Sequence, residues 1–181
     1  MTVSINPPEE FYTQRLQLRK PRISDAEQLH NSYISKPHIP KYMSWIAHKS
    51  LDETIGFLEH CVTCFDEKSN FEFVVELKDN PGVGIGMVGM HPLQNAVGFG
   101  YVIAEEFWNQ GITSEALGCL MDWALSQPSV FRLQAFCDVE NQSSARVMEK
   151  AGMSYEGRLK KYFVYPNISN DPRDSLIYSK V

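Results

Sequence analysis

Apolar and polar residues alternate along several short segments of the chain, and this pattern predicts β-strands. In residues 71–77, Phe-Glu-Phe-Val-Val-Glu-Leu, successive side chains alternate in the way that a half-buried strand requires. A strong turn signal, Asp-Asn-Pro-Gly, follows at residues 79–82. Comparable segments predict further strands at 11–18, 83–90, 96–104, 131–137, 154–162 and 175–180.

Helices are predicted where apolar residues recur every three or four positions. Two Ser-x-x-Glu capping boxes, at residues 24–27 and 50–53, predict where the first two helices begin. The first helix is expected to run to about residue 34, and the proline-containing segment 36–49 is expected to be a loop or a broken helix. Later helices are predicted at 113–126 and 142–151, where Gly152 has the place of a left-handed C-cap.

The order of these elements predicts the fold class. One strand is followed by two helices, three strands that look antiparallel, and then helix, strand, helix and two strands. This order indicates an α/β (α+β) fold with one mixed, mostly antiparallel sheet and helices on both faces. The chain has 181 residues, of which 43% are hydrophobic and 22% are charged. Such a length and composition are typical of one globular domain, expected here over residues 1–181.

The charge balance narrows the classes of function. The formal net charge is −5 at pH 7, whereas a protein that binds nucleic acid mainly through phosphates is usually basic. No apolar run approaches the roughly 20 residues of a membrane helix. The first residues lack the basic and apolar regions of a signal peptide. We therefore expect a cytoplasmic protein that makes no membrane or direct nucleic-acid contacts.

The four cysteines are too few and too scattered for a disulfide framework, which fits that expectation. Cys61 and Cys64 have the spacing of a redox or metal site, but no second pair accompanies them. Both lie in an apolar helical stripe, where residues three positions apart share a face. Two buried or half-buried thiols are the favoured interpretation, and no metal site is expected.

Residues 84–89, Gly-Ile-Gly-Met-Val-Gly, match the dinucleotide-binding pattern G-x-G-x-x-G. That pattern requires a helix to begin within it, so that the N-terminus of the helix faces the pyrophosphate. Here the residues alternate as a strand does, and no helical pattern follows them. The glycines are interpreted as positions where a neighbouring backbone or ligand packs closely, and no nicotinamide cofactor is expected.

A different segment has the pattern of an anion site. Residues 100–116 lead from a strand through a short glycine-containing loop directly into an amphipathic helix. Such a turn presents unpaired backbone N–H groups at the positive end of the helix dipole, and Gly111 leaves room for a pyrophosphate. A capped strand-to-helix turn, with glycine for its geometry alone, explains this segment equally well by itself.

The helix that follows the next predicted strand opens with Asn141-Gln142-Ser143-Ser144. Asn141 and Ser144 are three positions apart, so their polar groups can point to the same side of the first turn. Taken alone, helix capping is the favoured explanation of this pair, because asparagine is an excellent N-cap.

Taken together, these segments resemble the GNAT N-acetyltransferases, in particular the branch that contains the ribosomal-protein N-terminal acetyltransferases. The resemblance follows almost the whole chain in order. Its motifs are Thr-Gln-Arg-Leu-Gln-Leu-Arg at 13–19, Trp-Asn-Gln-Gly-Ile-Thr-Ser-Glu-Ala at 108–116, Asn-x-x-Ser at 141–144, Glu-Lys-Ala-Gly-Met at 149–153, Glu-Gly-Arg-Leu at 156–159 and Arg-Asp at 173–174. The wider family has Arg or Gln where Trp108 stands, and Gly or Ala where Thr113 stands.

The resemblance implies a splayed sheet in which the strand ending near Ala104 parts from the strand at 131–137. It implies acetyl-CoA as cosubstrate in that cleft, with the pantetheine arm on the backbone of Val102 and Ile103. The loop residues implied to bind the pyrophosphate through their N–H groups are Gln110, Gly111, Ile112, Thr113 and Ser114. The resemblance assigns Ser144 as the proton donor to the departing thiolate, and it places Asn141 in both the catalytic and the cofactor site.

The implied reaction transfers an acetyl group from acetyl-CoA to a primary amine by direct attack. A free α-amine, with a pKa of about 7.7–8.0, is partly neutral at cellular pH, so a strong base is not essential. The candidate bases are a water chain and the side chains of Glu105, Glu106, Glu72 and His91, and the sequence does not choose among them.

Three functions stay open at this point. The first is acetylation of a protein N-terminus, and the second is acetylation of a small amine such as an amino acid, a polyamine or an antibiotic. The third is a non-catalytic acyl-CoA-binding module. The protein is expected to be a monomer or a homodimer. The acceptor site is expected between the loop after the first helix and the late loop before the last strand, where His38, Tyr42, Trp45 and Tyr165 lie.

Overall fold

The computed structural model describes residues 2–181, within which eight strands and four α-helices form. The strands are β1 (Glu10–Tyr12), β2 (Leu16–Arg19), β3 (Phe71–Leu77), β4 (Gly84–Pro92), β5 (Val97–Ile103), β6 (Leu133–Asp138), β7 (Ser154–Phe163) and β8 (Arg173–Lys180). The helices are α1 (Ala26–Leu29), α2 (Leu51–Asp66), α3 (Ile112–Leu125) and α4 (Gln142–Lys150). No helix in this part of the chain is long and apolar enough to cross a membrane.

All eight strands belong to one sheet in the order β1-β2-β3-β4-β5-β6-β8-β7. Neighbouring strands are antiparallel except for β5 and β6, which run parallel and pair only at Val97 with Leu133 and at Gly98 with Gln134. Beyond these two pairs the strands separate, so a cleft opens beside residues 99–103. The predicted mixed, splayed and mostly antiparallel sheet is confirmed.

Helices cover both faces of this sheet, as predicted. On one face, α3 and α4 close the larger apolar cluster, whose helical members include Ile112, Leu117, Leu120, Met121 and Met148. On the other face, α1 and α2 cover a smaller cluster that contains Leu29, Leu58 and Val74. Successive residues of β5 divide between the faces, because Tyr101 and Ile103 pack toward α3 and Val102 packs toward the smaller cluster.

The prediction of one strand at 11–18 is wrong, because this segment is a hairpin of β1 and β2. At its turn, the Thr13 N–H donates to the Leu16 carbonyl at 2.9 Å, and the Leu16 N–H donates to Thr13 Oγ1 at 2.9 Å. The Thr13 hydroxyl also donates to Glu115 in α3 at 2.5 Å. The turn is therefore held by a residue far away in the sequence, which the local alternation of side chains does not reveal.

The helix start predicted from the first capping box is also wrong, because Ser24 does not cap a helix. A 3₁₀ turn over Ile23–Asp25 begins after Arg22, whose N–H donates to Asp25 Oδ2 at 2.8 Å. The Asp25 carboxylate is fixed in turn by the Arg19 guanidinium, at 2.8 and 2.7 Å. A buried ion pair thus determines where this irregular helix starts, and it continues through α1 into a π-helical turn over His30–Ile34.

The other local signals agree with the structure. The second capping box predicts the correct helix start, since Ser50 Oγ accepts from the Glu53 N–H at 3.3 Å, but the Glu53 carboxylate accepts from the Lys49 N–H at 2.8 Å instead of returning to Ser50. Gly152 follows α4 with φ of +88°, the left-handed conformation expected of its position. Cys61 is buried and Cys64 half-buried, both as free thiols, as interpreted. Within residues 2–181, no three His, Cys, Asp or Glu side chains are grouped as a metal site.

The glycine-rich segment 84–89 lies within β4, and no helix begins in it. Its glycines permit close packing: a Cβ on Gly86 would clash with the Val102 carbonyl oxygen and lie 2.8 Å from the Ile103 Cα. A Cβ on Gly89 would lie 2.5 Å from Glu72 Oε2. The segment therefore has the geometry of a tightly packed strand rather than of a dinucleotide loop.

We expect Gly86→Ala to destabilise the protein by about 1–3 kcal/mol or more, because the β5 backbone cannot move aside cheaply. Gly118→Ala is the matched control, since nothing lies within 4 Å of a Cβ at that helical position, and alanine favours a helix by about 0.5–1 kcal/mol. Urea unfolding measures both variants. Equal stabilities, or binding of NAD(H) by the wild-type protein in a titration, would contradict the packing interpretation.

Candidate active site

The loop between β5 and α3 presents free backbone donors. Gly111 is the N-cap residue of α3, with φ of +75° and ψ of +3°, a left-handed conformation that costs a residue with a Cβ about 1–2 kcal/mol. The first helical hydrogen bond runs from the Glu115 N–H to the Gly111 carbonyl at 3.0 Å. The N–H groups of residues 112–114 precede it, and no described side chain caps them. They stand at the positive end of the helix dipole, where an anion is stabilised.

An ion pair neutralises the carboxylate in the first turn of α3. Glu115, in the first turn of α3, accepts from Arg15 Nε at 2.7 Å and from the Arg15 N–H at 3.0 Å. Partial burial alone would favour the neutral acid, but the hydrogen bonds from Thr13 and Arg15 lower the pKa of Glu115. Arg15 also donates to the Gln110 carbonyl at 3.1 Å. The 13–19 motif thus supports the loop and places a guanidinium, paired with Glu115, beside it.

The backbone N–H and C=O groups of β5 point alternately toward β4 and toward the cleft. The Ala104 N–H donates to the Ile85 carbonyl at 2.8 Å, and such pairing alternates along an antiparallel strand. Val102, two residues earlier, therefore directs its N–H and C=O toward β4, where it is paired with Met87. The backbone N–H and C=O groups of Tyr101 and Ile103 therefore point to the open side beside β6.

This arrangement corrects the predicted backbone contacts of the pantetheine arm. Val102 was expected to pair with it, but the Val102 backbone faces β4, because only alternate residues of a strand face one edge. The Ile103 carbonyl is occupied by Trp108, whose Nε1 donates to it at 2.7 Å. The N–H of Ile103 and both backbone groups of Tyr101 are left to face the cleft.

Ser144 faces the same cleft from the first turn of α4. The cap of this helix is Asn141, whose Oδ1 accepts from the Ser144 N–H at 3.1 Å. The Ser144 hydroxyl is engaged elsewhere, with its Oγ 2.8 Å from the Tyr101 hydroxyl oxygen. Tyr101 Oη also donates to the Ser144 carbonyl at 3.1 Å. The two hydroxyl groups therefore link β5 to α4 across the separation of the sheet.

Sequence reasoning did not select Tyr101. The signal that could have found it is a tyrosine at a strand position that faces the core. A buried tyrosine hydroxyl requires a hydrogen-bond partner, so such a residue points to a polar contact inside the protein. Burial raises the pKa of Tyr101 and raises the pKa of the nearby Cys137 thiol to about 11. Both groups are therefore uncharged at neutral pH, and this wall of the cleft can donate protons to a developing anion.

Two of the four side chains considered as bases, Glu105 and Glu106, are held in ion pairs. Glu105 Oε2 lies 2.8 Å from His38 Nε2, and Lys36 Nζ lies 3.3 Å from Glu105 and 3.2 Å from Glu106. The hydrogen bond from His38 lowers the pKa of Glu105, and a backbone hydrogen bond followed by Lys36 lowers that of Glu106. Both carboxylates are ionised and paired. The other two candidates, Glu72 and His91, lie together on the α1–α2 face of the sheet.

The two loops expected to bound the acceptor site are joined by Asn167. Its Nδ2 donates to the carbonyls of Pro40 at 2.6 Å and Trp45 at 2.8 Å. Tyr165, one of the aromatic candidates, is 2% exposed and its hydroxyl lies 2.8 Å from Ser175 Oγ. Tyr165 therefore packs the loop from inside. Asn167 had no distinguishing signal in the sequence.

Comparison with known proteins places these features in a wider group. The family model described as the acetyltransferase (GNAT) domain matches residues 15–154. The uncharacterized N-acetyltransferase YoaA of Bacillus subtilis is 28% identical over 172 residues, covering 93% of this chain and 94% of that protein. The crystal structure of an acetyltransferase (GNAT family) from Bacillus anthracis has a TM-score of 0.81 at 27% identity, over 95% of this chain and 98% of that one. A ribosomal-protein-S5-alanine acetyltransferase from Vibrio fischeri has a TM-score of 0.79 at 25% identity, over 95% and 96% of the two chains.

Proposed function

This chain belongs to the GNAT acetyltransferase family and is an acetyl-CoA-dependent acyltransferase, and we propose that its acceptor is the α-amine of a protein N-terminus. The main support is the cleft beside β5, which has free N–H groups at one end and the hydroxyls of Tyr101 and Ser144 along its wall. The N–H groups bind an anion, and the hydroxyls donate a proton to a leaving group. A single extended ligand that carries phosphates at one end and a thioester at the other suits both features.

The residues of the cleft fit acetyl-CoA, which supplies an activated acetyl thioester. The N–H groups of residues 112–114 bind its pyrophosphate at the start of α3. Arg15 lies on the same side, with its charge paired to that of Glu115. The N–H of Ile103 and the backbone groups of Tyr101 pair with the pantetheine arm in the manner of a neighbouring strand.

Ser144 protonates the departing thiolate in this proposal. Its hydroxyl faces the cleft and is bonded to the neutral Tyr101 hydroxyl, so a proton given to sulfur can be replaced along the pair. Asn141 holds the first turn of α4 in place by accepting from the Ser144 N–H. Asn141 is thus a positioning residue whose polar side chain is engaged by the helix itself.

Two observations favour an α-amine over a polyamine. A polycation needs several unpaired carboxylates at the mouth of the site, but Glu105 and Glu106 are already paired with Lys36 and His38. An α-amine is partly neutral at cellular pH, so its nucleophilic form is present without a strong base. The relative from Vibrio fischeri is named as an acetyltransferase of a ribosomal protein alanine, which agrees with a peptide acceptor.

The test is a thiol-release assay with acetyl-CoA and a panel of acceptors. We expect release with hexapeptides that begin with alanine or serine and no release with the same peptides N-acetylated. Each peptide contains one internal lysine, so the blocked peptide controls for side-chain acetylation. Faster release with spermidine, a free amino acid or an aminoglycoside would replace the protein acceptor by a small amine. Binding of acetyl-CoA without release of the CoA thiol in the presence of any acceptor would leave only a non-catalytic acyl-CoA-binding module.

A further inference from the structure

Two side chains lie flat on the α1–α2 face of the sheet because glycines stand beneath them. Glu72 of β3 is paired with Gly89 of β4, which is paired in turn with Gly100 of β5. The Glu72 carboxylate covers Gly89, with Oε2 2.5 Å from the position of an added Cβ. His91 Nε2 lies 3.4 Å from the corresponding position on Gly100. A carboxylate over β4 is thus followed by an imidazole over β5.

These two groups and Asn70 form a connected set. Glu72 Oε1 lies 3.5 Å from His91 Nε2, and Asn70 Oδ1 lies 3.2 Å from His91 Nδ1. An amide oxygen accepts only, so Nδ1 carries the proton of the neutral ring and Nε2 has a free lone pair. The side chains of His91 and Glu72 are 35% and 23% exposed. A ligand on this face can reach both of them.

The imidazole lies opposite the hydroxyl pair described above. Gly100 lies beneath His91, and the next residue of β5, Tyr101, points to the other face, where its hydroxyl meets Ser144. Both groups flank the stretch of β5 that begins just after its last pair with β6. Direct transfer from a thioester to an amine is assisted by a base on the amine side and an acid on the sulfur side. His91 above Gly100 and the hydroxyl pair of Tyr101 and Ser144 on the opposite face provide this arrangement.

We propose that His91 is the general base of this enzyme, and that Asn70 and Glu72 are positioning residues that hold its tautomer and stabilise its protonated form. The inference rests on the proposed function. The amine nitrogen forms a bond to the acetyl carbon, the carbon–sulfur bond breaks, and its electron pair leaves with sulfur. His91 Nε2 takes the proton from nitrogen, and Ser144 gives a proton to sulfur. Solvent afterwards removes the proton from His91 and restores that of the hydroxyl pair.

The first test compares His91→Gln with the wild-type enzyme, using a hexapeptide with a free N-terminal alanine. We expect kcat/KM at neutral pH to fall by about 10²–10⁴-fold, the range typical of acid–base groups, with an unchanged Kd for acetyl-CoA. His60→Gln, an exposed histidine on α2, is the matched control. An unchanged kcat/KM in His91→Gln would overturn the assignment and leave the proposed function standing. A wild-type enzyme that does not acetylate the peptide would instead contradict the proposed function.

A second test requires no acceptor. We expect ¹⁵N NMR of the histidine rings to show His91 in the Nδ1–H form when neutral, and Asn70→Ala to lose that preference. An Nε2–H ring in the wild-type protein would exclude Nε2 as a base and would overturn the assignment even where no acceptor is turned over.

The Glu72→Gln variant tests whether Glu72 positions His91 or only stabilises the fold. Burial raises the pKa of Glu72, so the folded state binds this proton more tightly than the unfolded state does. Its contribution to stability therefore falls as pH rises from the unfolded pKa toward the folded one, and glutamine is expected to raise Tm at pH 8. The same variant is expected to lower kcat and to move the acidic limb of the pH profile. A lower Tm with an unmoved pH profile would mark Glu72 as structural only.

Discussion

Ser144→Ala is expected to lower kcat by about 10²–10⁴-fold while the Kd for acetyl-CoA stays nearly the same. The thiolate carries its full charge only late in the reaction, so a proton from the Ser144 hydroxyl stabilises the transition state more than the bound substrates. Steady-state kinetics with the free-N-terminus peptide and calorimetry with acetyl-CoA measure the two quantities. A kcat within about threefold of wild type would remove Ser144 from the mechanism.

Ser144→Ala is expected to remove the hydroxyl without disturbing the contacts around it. The cap of α4 survives the change, because Asn141 Oδ1 accepts from the backbone N–H of residue 144. Tyr101 keeps an acceptor in the Ser144 carbonyl at 3.1 Å, so the loss of stability is expected to stay near the ~1 kcal/mol of one hydrogen bond. Ser143→Ala, an exposed neighbour in the same turn, is the matched control and is expected to retain kcat.

Gly111→Trp is expected to weaken acetyl-CoA binding by tenfold or more, about 1.4 kcal/mol. A side chain at this position either obstructs the approach of the phosphates to the N–H groups of residues 112–114 or distorts the turn, because φ is +75°. Calorimetry with CoA measures the effect, and circular dichroism checks that the variant is folded. Unchanged affinity in a folded variant would mean that the phosphates bind elsewhere.

Gly82→Trp controls for backbone strain in that experiment. Gly82 has φ of +83° and open space around it, and it lies in the turn between β3 and β4. A tryptophan there meets the same conformational cost without touching the loop at α3. We expect comparable losses of stability in the two variants and a loss of CoA affinity only in Gly111→Trp.

Local patterns predicted those parts of the fold that local physics determines. The alternation in residues 71–77 identified β3, and the Ser50 capping box identified the start of α2. The connection from β5 through Gly111 into α3 was predicted because a strand pattern, a glycine and an amphipathic helical pattern follow one another directly. In each of these cases the residues that determine the structure lie within one or two turns of one another.

The features that sequence reasoning missed depend on distant partners. Tyr101 and Ser144 are 43 positions apart, and Arg15 and Glu115 are 100 positions apart. Only the assembled sheet brings each pair together. The error at Val102 has a related cause, because the edge that a residue's N–H and C=O face depends on the register with β4. The proposal of His91 as the base also required the structure, since a glycine on the neighbouring strand, Gly100, makes room for it.

The hydrogen bonds of Asn167 have a consequence for redesign of the proposed acceptor side. One carboxamide satisfies two carbonyls on the segment between α1 and α2, so that segment and the β7–β8 connection form a single architectural unit. Transplanting either loop alone from a relative would leave the carbonyls or the amide without partners. The proposed donor half of the site, built from β5, α3 and α4, takes no part in this link. A chimera designed to accept a different amine should therefore exchange both loops together and can leave the donor half as it is.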